Sequence, residues 1–140
     1  MAENGVAYTT INTNTSDRFQ SLRRELEVEG FGMNAITLAP RQRGRIHDHE
    51  HQEEVFLVLE GELTIAIEGE EEKVGKHGLV RVPAGVRRQL INRGPATLLL
   101  VALGATGEHV GRDGRAWESW DEDGAGRAPQ EVPLPSDLPV

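Results

Sequence analysis

The run EVFLVLE at residues 54–60, followed at once by Gly61 and the alternating ELTIAIEG, restricts what this chain can fold into more than any other stretch. Its β-branched and aromatic residues read as a buried strand. In the second run Leu63, Ile65 and Ile67 alternate with Glu62, Thr64, Ala66 and Glu68, the period-two pattern of a strand with one face in a core. A hairpin follows. Phe31–Leu38 (FGMNAITL) repeats the pattern and ends at Pro40, and LVRVP, RRQLIN and ATLLLVALG add three more short runs separated by Gly and Pro turns. Many short strands so punctuated imply an all-β sandwich or barrel. One helix interrupts this: in SDRFQSLRREL, Ser16 can cap a short helix whose Phe19, Leu22 and Leu26 share a face. Residues 1–16, rich in Asn and Thr, can form at most a short edge strand near Val6–Ile11.

At 140 residues the chain is one domain by size, able to close a single sizeable core. A formal net charge of −8 argues against nucleic acid or an anionic membrane surface as partner, since both reward excess Lys and Arg. Two Trp, one Tyr and three Phe are too few for a base-stacking platform. Without cysteine there is no disulfide, thiolate ligand or cysteine nucleophile, so chemistry must come from His, carboxylates, Arg or a metal. The polar N-terminus lacks the pattern of a signal peptide, and no apolar stretch nears the roughly 20 residues that span a bilayer, so a cytoplasmic protein is expected. Residues 1–32 form an N-terminal segment with the helix, 33–103 the barrel core, and 104–140 an irregular acidic, Gly- and Pro-rich tail. Trp117 and Trp120 are costly to leave in water, so the tail is expected to dock on the barrel or on a partner subunit.

Ligand-grade side chains crowd GRIHDHEHQEE, just before the buried run. If residues 45–49 are extended, Arg45, His47 and His49 share one face, with Asp48 and Glu50 on the other. Two imidazoles on one strand and a carboxylate on the next make a facial set for a divalent metal with open positions for water or substrate. Fe, Mn, Ni, Zn and Cu all accept such ligands. Glu53 and Glu54 compete for the carboxylate role, and His51 continues the alternation as a fourth ligand or a solvated loop residue. His77 and His109 fall at turn-like positions and read as surface residues.

His47-x-His49, four residues, Glu54, six residues, Gly61 resembles the first conserved motif of the cupin superfamily of small β-barrel proteins. Pro83-Ala84-Gly85, two residues, Arg88, three residues, Asn92 resembles the second. The resemblance covers residues 33–103 and implies a single-domain double-stranded β-helix, or jelly-roll, barrel. It implies His47, His49 and Glu54 as metal ligands and selects Glu54 over Glu53 by its distance to Gly61. It also implies a homodimer, which strands with apolar residues on both faces would favour. The sequence departs from the family where a third histidine ligand usually stands. That position is Arg88, whose guanidinium cannot ligate a cation. An inward Arg88 needs Glu54 or an anionic ligand as partner. Arg88 and Arg45 are therefore the expected contacts of a small ligand, expected to be a carboxylate. Two functions stay open: a metal-dependent oxygenase, isomerase or decarboxylase, or a metal-free, non-catalytic binding or sensor module. Catalytic residues are not assigned.

Overall fold

Ten strands form two five-stranded antiparallel sheets that enclose one core, in a computed structural model describing residues 4–13, 17–105 and 113–139. In chain order they are β1 (Phe19–Ser21), the helix α1 (Leu22–Leu26), β2 (Gly32–Leu38), β3 (Ile46–His49), β4 (Glu53–Glu60), β5 (Leu63–Ile67), β6 (Glu70–Val74), β7 (Leu79–Val82), β8 (Arg88–Ile91), β9 (Leu98–Ala105) and β10 (Gly114–Trp117). One sheet has the order β1-β2-β9-β4-β7, the other β10-β3-β8-β5-β6. This is a jelly-roll with little helix: the turn-punctuated strands imply its all-β class, and the resemblance implies its jelly-roll form. No helix among the described residues is long and apolar enough to cross a membrane.

The two apolar runs flanking Gly61 do not pair with each other. β4 lies in the first sheet and β5 in the second, so both can turn their apolar residues onto the shared core. Gly61 marks the crossing: its φ is +79°, and a Cβ there would meet the Thr97 carbonyl oxygen at 2.6 Å. The hairpin instead joins β5 to β6, which pair from Leu63↔Val74 to Ile67↔Glu70. Its two-residue loop, Glu68 and Gly69, has φ +49° and +89°, the backbone sign of the tight turns that match strand twist. The acidic EEEKV, which hydrophobic alternation does not mark as a strand, is thus an edge strand. Its exposed charges suit a position where free backbone groups would otherwise invite another chain.

The N-terminal helix is shorter than expected and starts later. Ser21 caps it by accepting from the Arg24 N–H at 3.2 Å, while Phe19 lies in β1 opposite Ile36. Pairing with β2 satisfies the backbone of residues 19–21 in a way one more helical turn would not. Ser16, the expected cap, and His109 lie outside the described residues. Residues 6–11 join neither sheet.

Between the sheets, Leu38, Phe56, Val58, Leu63, Ile65, Leu98 and Leu100 are essentially inaccessible. The segment after β9 is irregular over most of its described length but not throughout. β10 adds to β3 with Gly114 opposite His49 and Trp117 opposite Ile46. Trp117 is buried, with the Arg87 guanidinium 4.2 Å from its ring centre, so this tryptophan docks on the outer face of its own barrel. Asp48, on that same outer face, pairs with Arg115 of β10 at 2.8 and 2.9 Å. A charged residue that would otherwise lie in solvent is thereby buried with a bidentate partner.

Candidate metal centre

β3 and β4 lie in different sheets and turn His47, His49 and Glu54 toward each other across the barrel interior. Alternation along β4 sends Glu54, Phe56 and Val58 inward, while Glu53 points out to Arg81. Of the two neighbouring glutamates, Glu54 is the interior one. His47 Nε2 stands 3.6 Å from Glu54 Oε1, and His49 Nε2 stands 3.4 Å from Glu54 Oε2. The imidazole rings meet edge-on, with centres 5.6 Å apart. A turn of the second motif supports this strand: Gly85, at φ +77°, donates its N–H to the His49 carbonyl at 2.8 Å.

These separations fit an ion between the groups better than direct bonds. N–H···O hydrogen bonds peak near 2.9–3.0 Å. Two ligands about 2.1 Å from a tetrahedral ion stand about 3.4 Å apart. Glu54 Oε1 and His49 Nδ1 are also buried without a hydrogen-bond partner among the described residues. Two imidazoles and a carboxylate are a donor set for a divalent transition metal, so the residues present fit one. Burial alone would raise the Glu54 pKa; the neighbouring imidazoles of His47 and His49 more than offset it and hold the carboxyl well below the usual range. Glu54 is therefore an anion available to a cation.

Arg88 sits opposite His47 in the β3–β8 pairing and is wholly buried. Leu90 is buried in the core, and Gln89 turns away to donate to the Gly44 carbonyl. The Arg88 Nε is 4.0 Å from Glu54 Oε1, and Nη2 reaches the Pro83 carbonyl at 3.4 Å; among the described residues Nε and Nη1 have no hydrogen-bond partner. Burial lowers its pKa, against the raising influence of Glu54, Asp48 and Glu68.

A cavity of about 270 Å³ opens beside the two histidines and Glu54. Its wall includes Asn34, Arg45, Phe56, Leu90 and, from the C-terminal segment, Gly114 and Pro129, whereas Arg88 is not part of the lining. Arg45 donates through Nε to the Val132 carbonyl at 2.6 Å, and no carboxylate lies within ion-pair distance of it among the described residues. Its pKa is lowered by burial and by the neighbouring Arg18 charge. His51 is on the turn, its side chain mostly exposed and bonded to Asp113, so it stands outside the inward set. His77 is exposed, with φ +70° in the loop before β7. Sequence reasoning missed Asn34, Gly114 and Pro129. Alternation along β2 could have found Asn34, inward with Ile36 and Leu38; nothing local marks the other two.

The family model described as the cupin domain matches residues 34–102, just under half of the chain and the span that carries both motifs. No curated protein matches. Among solved structures, a sugar phosphate isomerase of the cupin superfamily from Silicibacter pomeroyi shares 25% identity over 63% of this chain, with a TM-score of 0.59. This chain spans 58% of that isomerase. A cupin protein from Bacteroides fragilis is 18% identical with a TM-score of 0.61, covering 71% of this chain and 84% of its own. The cupin domain of an XRE family transcriptional regulator from Enterobacter cloacae is 24% identical with a TM-score of 0.57, covering 63% and 94%. The fold is that of the cupins, and the domain match with these likenesses supports the cupin superfamily for this chain.

Proposed function

We propose that the barrel binds a small phosphate- or carboxylate-bearing molecule beside a divalent metal held by His47, His49 and Glu54. The observation that carries this reading is the convergence of two imidazole nitrogens on a buried, ionised carboxylate whose Oε1 has no hydrogen-bond partner among the described residues. A metal bound there supplies Lewis-acid polarisation of a ligand oxygen. The chain's residues do the rest. Arg45, facing the cavity without a carboxylate partner among the described residues, binds and orients the anionic group, and Phe56 and Leu90 exclude water beside it. At about 270 Å³ the cavity is just below the usual range of roughly 300–1,000 Å³, which suits a small metabolite. The likeness to a sugar phosphate isomerase is compatible with a ligand of this charge. Arg88, placed where a third histidine is usual in the family, acts on Glu54 rather than on the ligand.

A second reading, a metal-free binding module, draws on that same Arg88: a buried guanidinium 4.0 Å from Glu54 can balance the carboxylate without an ion. Elemental analysis of the purified, metal-supplemented protein separates the two. About one equivalent of divalent metal in wild type, and loss of it in His49→Ala and Glu54→Ala, is expected; equal metal in all three proteins would sink the ligand assignment.

We also propose a homodimer. On the outer face of the first sheet, Leu57 pairs with Leu79 and Val55 with Leu103 across neighbouring strands, and Leu79 is 65% exposed. A second copy would cover this patch. Light scattering after size exclusion should give a dimer mass that Leu79→Glu lowers. A monomer mass for wild type at tens of micromolar would count against it.

A further inference from the structure

We propose that Asp113, beyond the segment that matches the cupin domain, is a positioning residue of the metal centre: it clamps the turn between the two ligand strands and offers His49 Nδ1 its hydrogen-bond acceptor. The inference rests on the metal reading above and adds a residue that neither motif contains.

β3 ends at His49 and β4 begins at Glu53, so residues 50–52 alone carry the chain from one sheet to the other between two ligands. The conformation of those three residues sets where His49 stands relative to Glu54. Asp113 controls it from outside the turn. Its Oδ1 and Oδ2 accept from the His51 backbone N–H at 3.1 and 2.9 Å, and Oδ2 also accepts from that of Gln52 at 3.0 Å. The His51 Nδ1 lies 3.0 Å from Oδ1, and the Asp113 carbonyl accepts from the Glu50 N–H at 3.1 Å. With 2% of its side chain exposed, this carboxylate is built into the turn.

The same carboxylate faces the metal centre. Asp113 Oδ2 is 3.8 Å from His49 Nδ1, which is buried and has no hydrogen-bond partner among the described residues. Closing that gap to a hydrogen bond takes roughly 1 Å. A histidine that ligates through one ring nitrogen almost always donates its other N–H to a carboxylate, carbonyl or water, which fixes the ring and makes the ligating nitrogen more basic. With Nδ1–H committed to Asp113, the Nε2 lone pair is left facing Glu54. The next residue permits the approach. A Cβ at Gly114 would stand 3.3 Å from Pro129 Cγ and 3.8 Å from His49 Cε1, so a larger side chain would crowd the tail against the ring. Glu50, His51 and Asp113 also lie close enough to hold an ion, but the His51 Nδ1 that would ligate it is bonded to Asp113 Oδ1 instead, which makes the group a clamp.

The test is a zinc competition titration with a chromophoric chelator on the full chain, comparing wild type, Asp113→Ala, Asp113→Asn and His51→Ala. Asp113→Ala should weaken zinc roughly 10- to 100-fold and Asp113→Asn toward the low end, while His51→Ala, which removes a turn contact but leaves His49 its acceptor, should change it less than about threefold. Asp113→Asn keeps an acceptor oxygen for the turn amides, and circular dichroism of each variant separates misfolding from a local effect. In zinc-loaded, ¹⁵N-labelled wild type the His49 Nδ1 proton should be downfield and slow to exchange, and lost in Asp113→Asn or Asp113→Ala. Unchanged zinc affinity in both Asp113 variants, an equal loss in His51→Ala, or a His49 Nδ1 resonance indifferent to Asp113 would overturn the inference. If wild type binds no zinc, the metal reading fails and this one with it; if wild type binds and the Asp113 variants match it, only this one fails.

Discussion

The barrel interior has two parts that solve the problem of burial differently. Around Val58, Leu63, Leu98 and Leu100 the side chains are inaccessible and wholly apolar, so removal from water is itself the stabilising term. Around His47, His49, Glu54 and Arg88 the burial is shallower at the two histidines and deep at Glu54 and Arg88, yet among the described residues Glu54 Oε1, His49 Nδ1 and two Arg88 nitrogens lack hydrogen-bond partners. Buried polar groups without partners cost stability, and folded proteins rarely keep several together. The apolar part is completed by the chain alone. The polar part, among the described residues, is not completed by hydrogen bonds of the chain, and that asymmetry is what the proposed metal site draws on.

Two substitutions probe the contrast, the larger effect first. Leu63 is fully buried in the core and does not line the cavity, so Leu63→Ala should cost about 2–5 kcal/mol of stability. Urea unfolding should register that loss while the metal affinity of the folded protein stays within about threefold of wild type. A matching collapse in metal affinity would mean that the two parts of the interior are one energetic unit. Arg88→His should act the other way round. Exchanging a buried cation 4.0 Å from Glu54 for an imidazole removes a charge that repels an ion and adds a possible ligand, so metal should bind about tenfold more tightly. Calorimetry checks this, and an affinity equal to or below wild type would mean that Arg88 does not act on the centre. The cavity lining adds a further expectation: with Arg45 rather than Arg88 in the wall, this variant should leave small carboxylates bound almost as in wild type.

The C-terminal segment sharpens the contrast from outside. Residues 34–102 supply the motif residues, but Gly114 and Pro129 close part of the cavity wall, Val132 holds Arg45, and Asp113 holds the turn after His49. A barrel cut at the end of β9 would lose these contacts with His49 and Arg45 while keeping its three candidate metal ligands.

Local sequence determined a good deal of this protein. Period-two alternation made β4 and β5 strands and chose which of their residues face the core, because successive side chains must point to opposite faces. The same rule set His47 and His49 on one face of β3, and Asn92, the last residue of the second motif, is buried with its amide donating to Leu38 and Ala96 carbonyls. Glu53 and Glu54 compete as neighbours, and only the resemblance, through the distance to Gly61, favours Glu54; in the fold one residue of shift sends Glu54 to the interior and Glu53 to solvent. Tertiary structure decided the rest. That β4 and β5 enter different sheets depends on Gly61 lying against Thr97 and Leu98, more than thirty residues away, which alternation cannot express. That EEEKV is a strand follows from β5 needing a partner at its edge, since the side chains themselves carry no apolar face. That Asp113 reaches His49 depends on β10 pairing with β3, a contact across sixty-odd residues of chain. Periodicity is a local property and fixes facing; pairing is a free-energy minimum of the whole chain and fixes who faces whom.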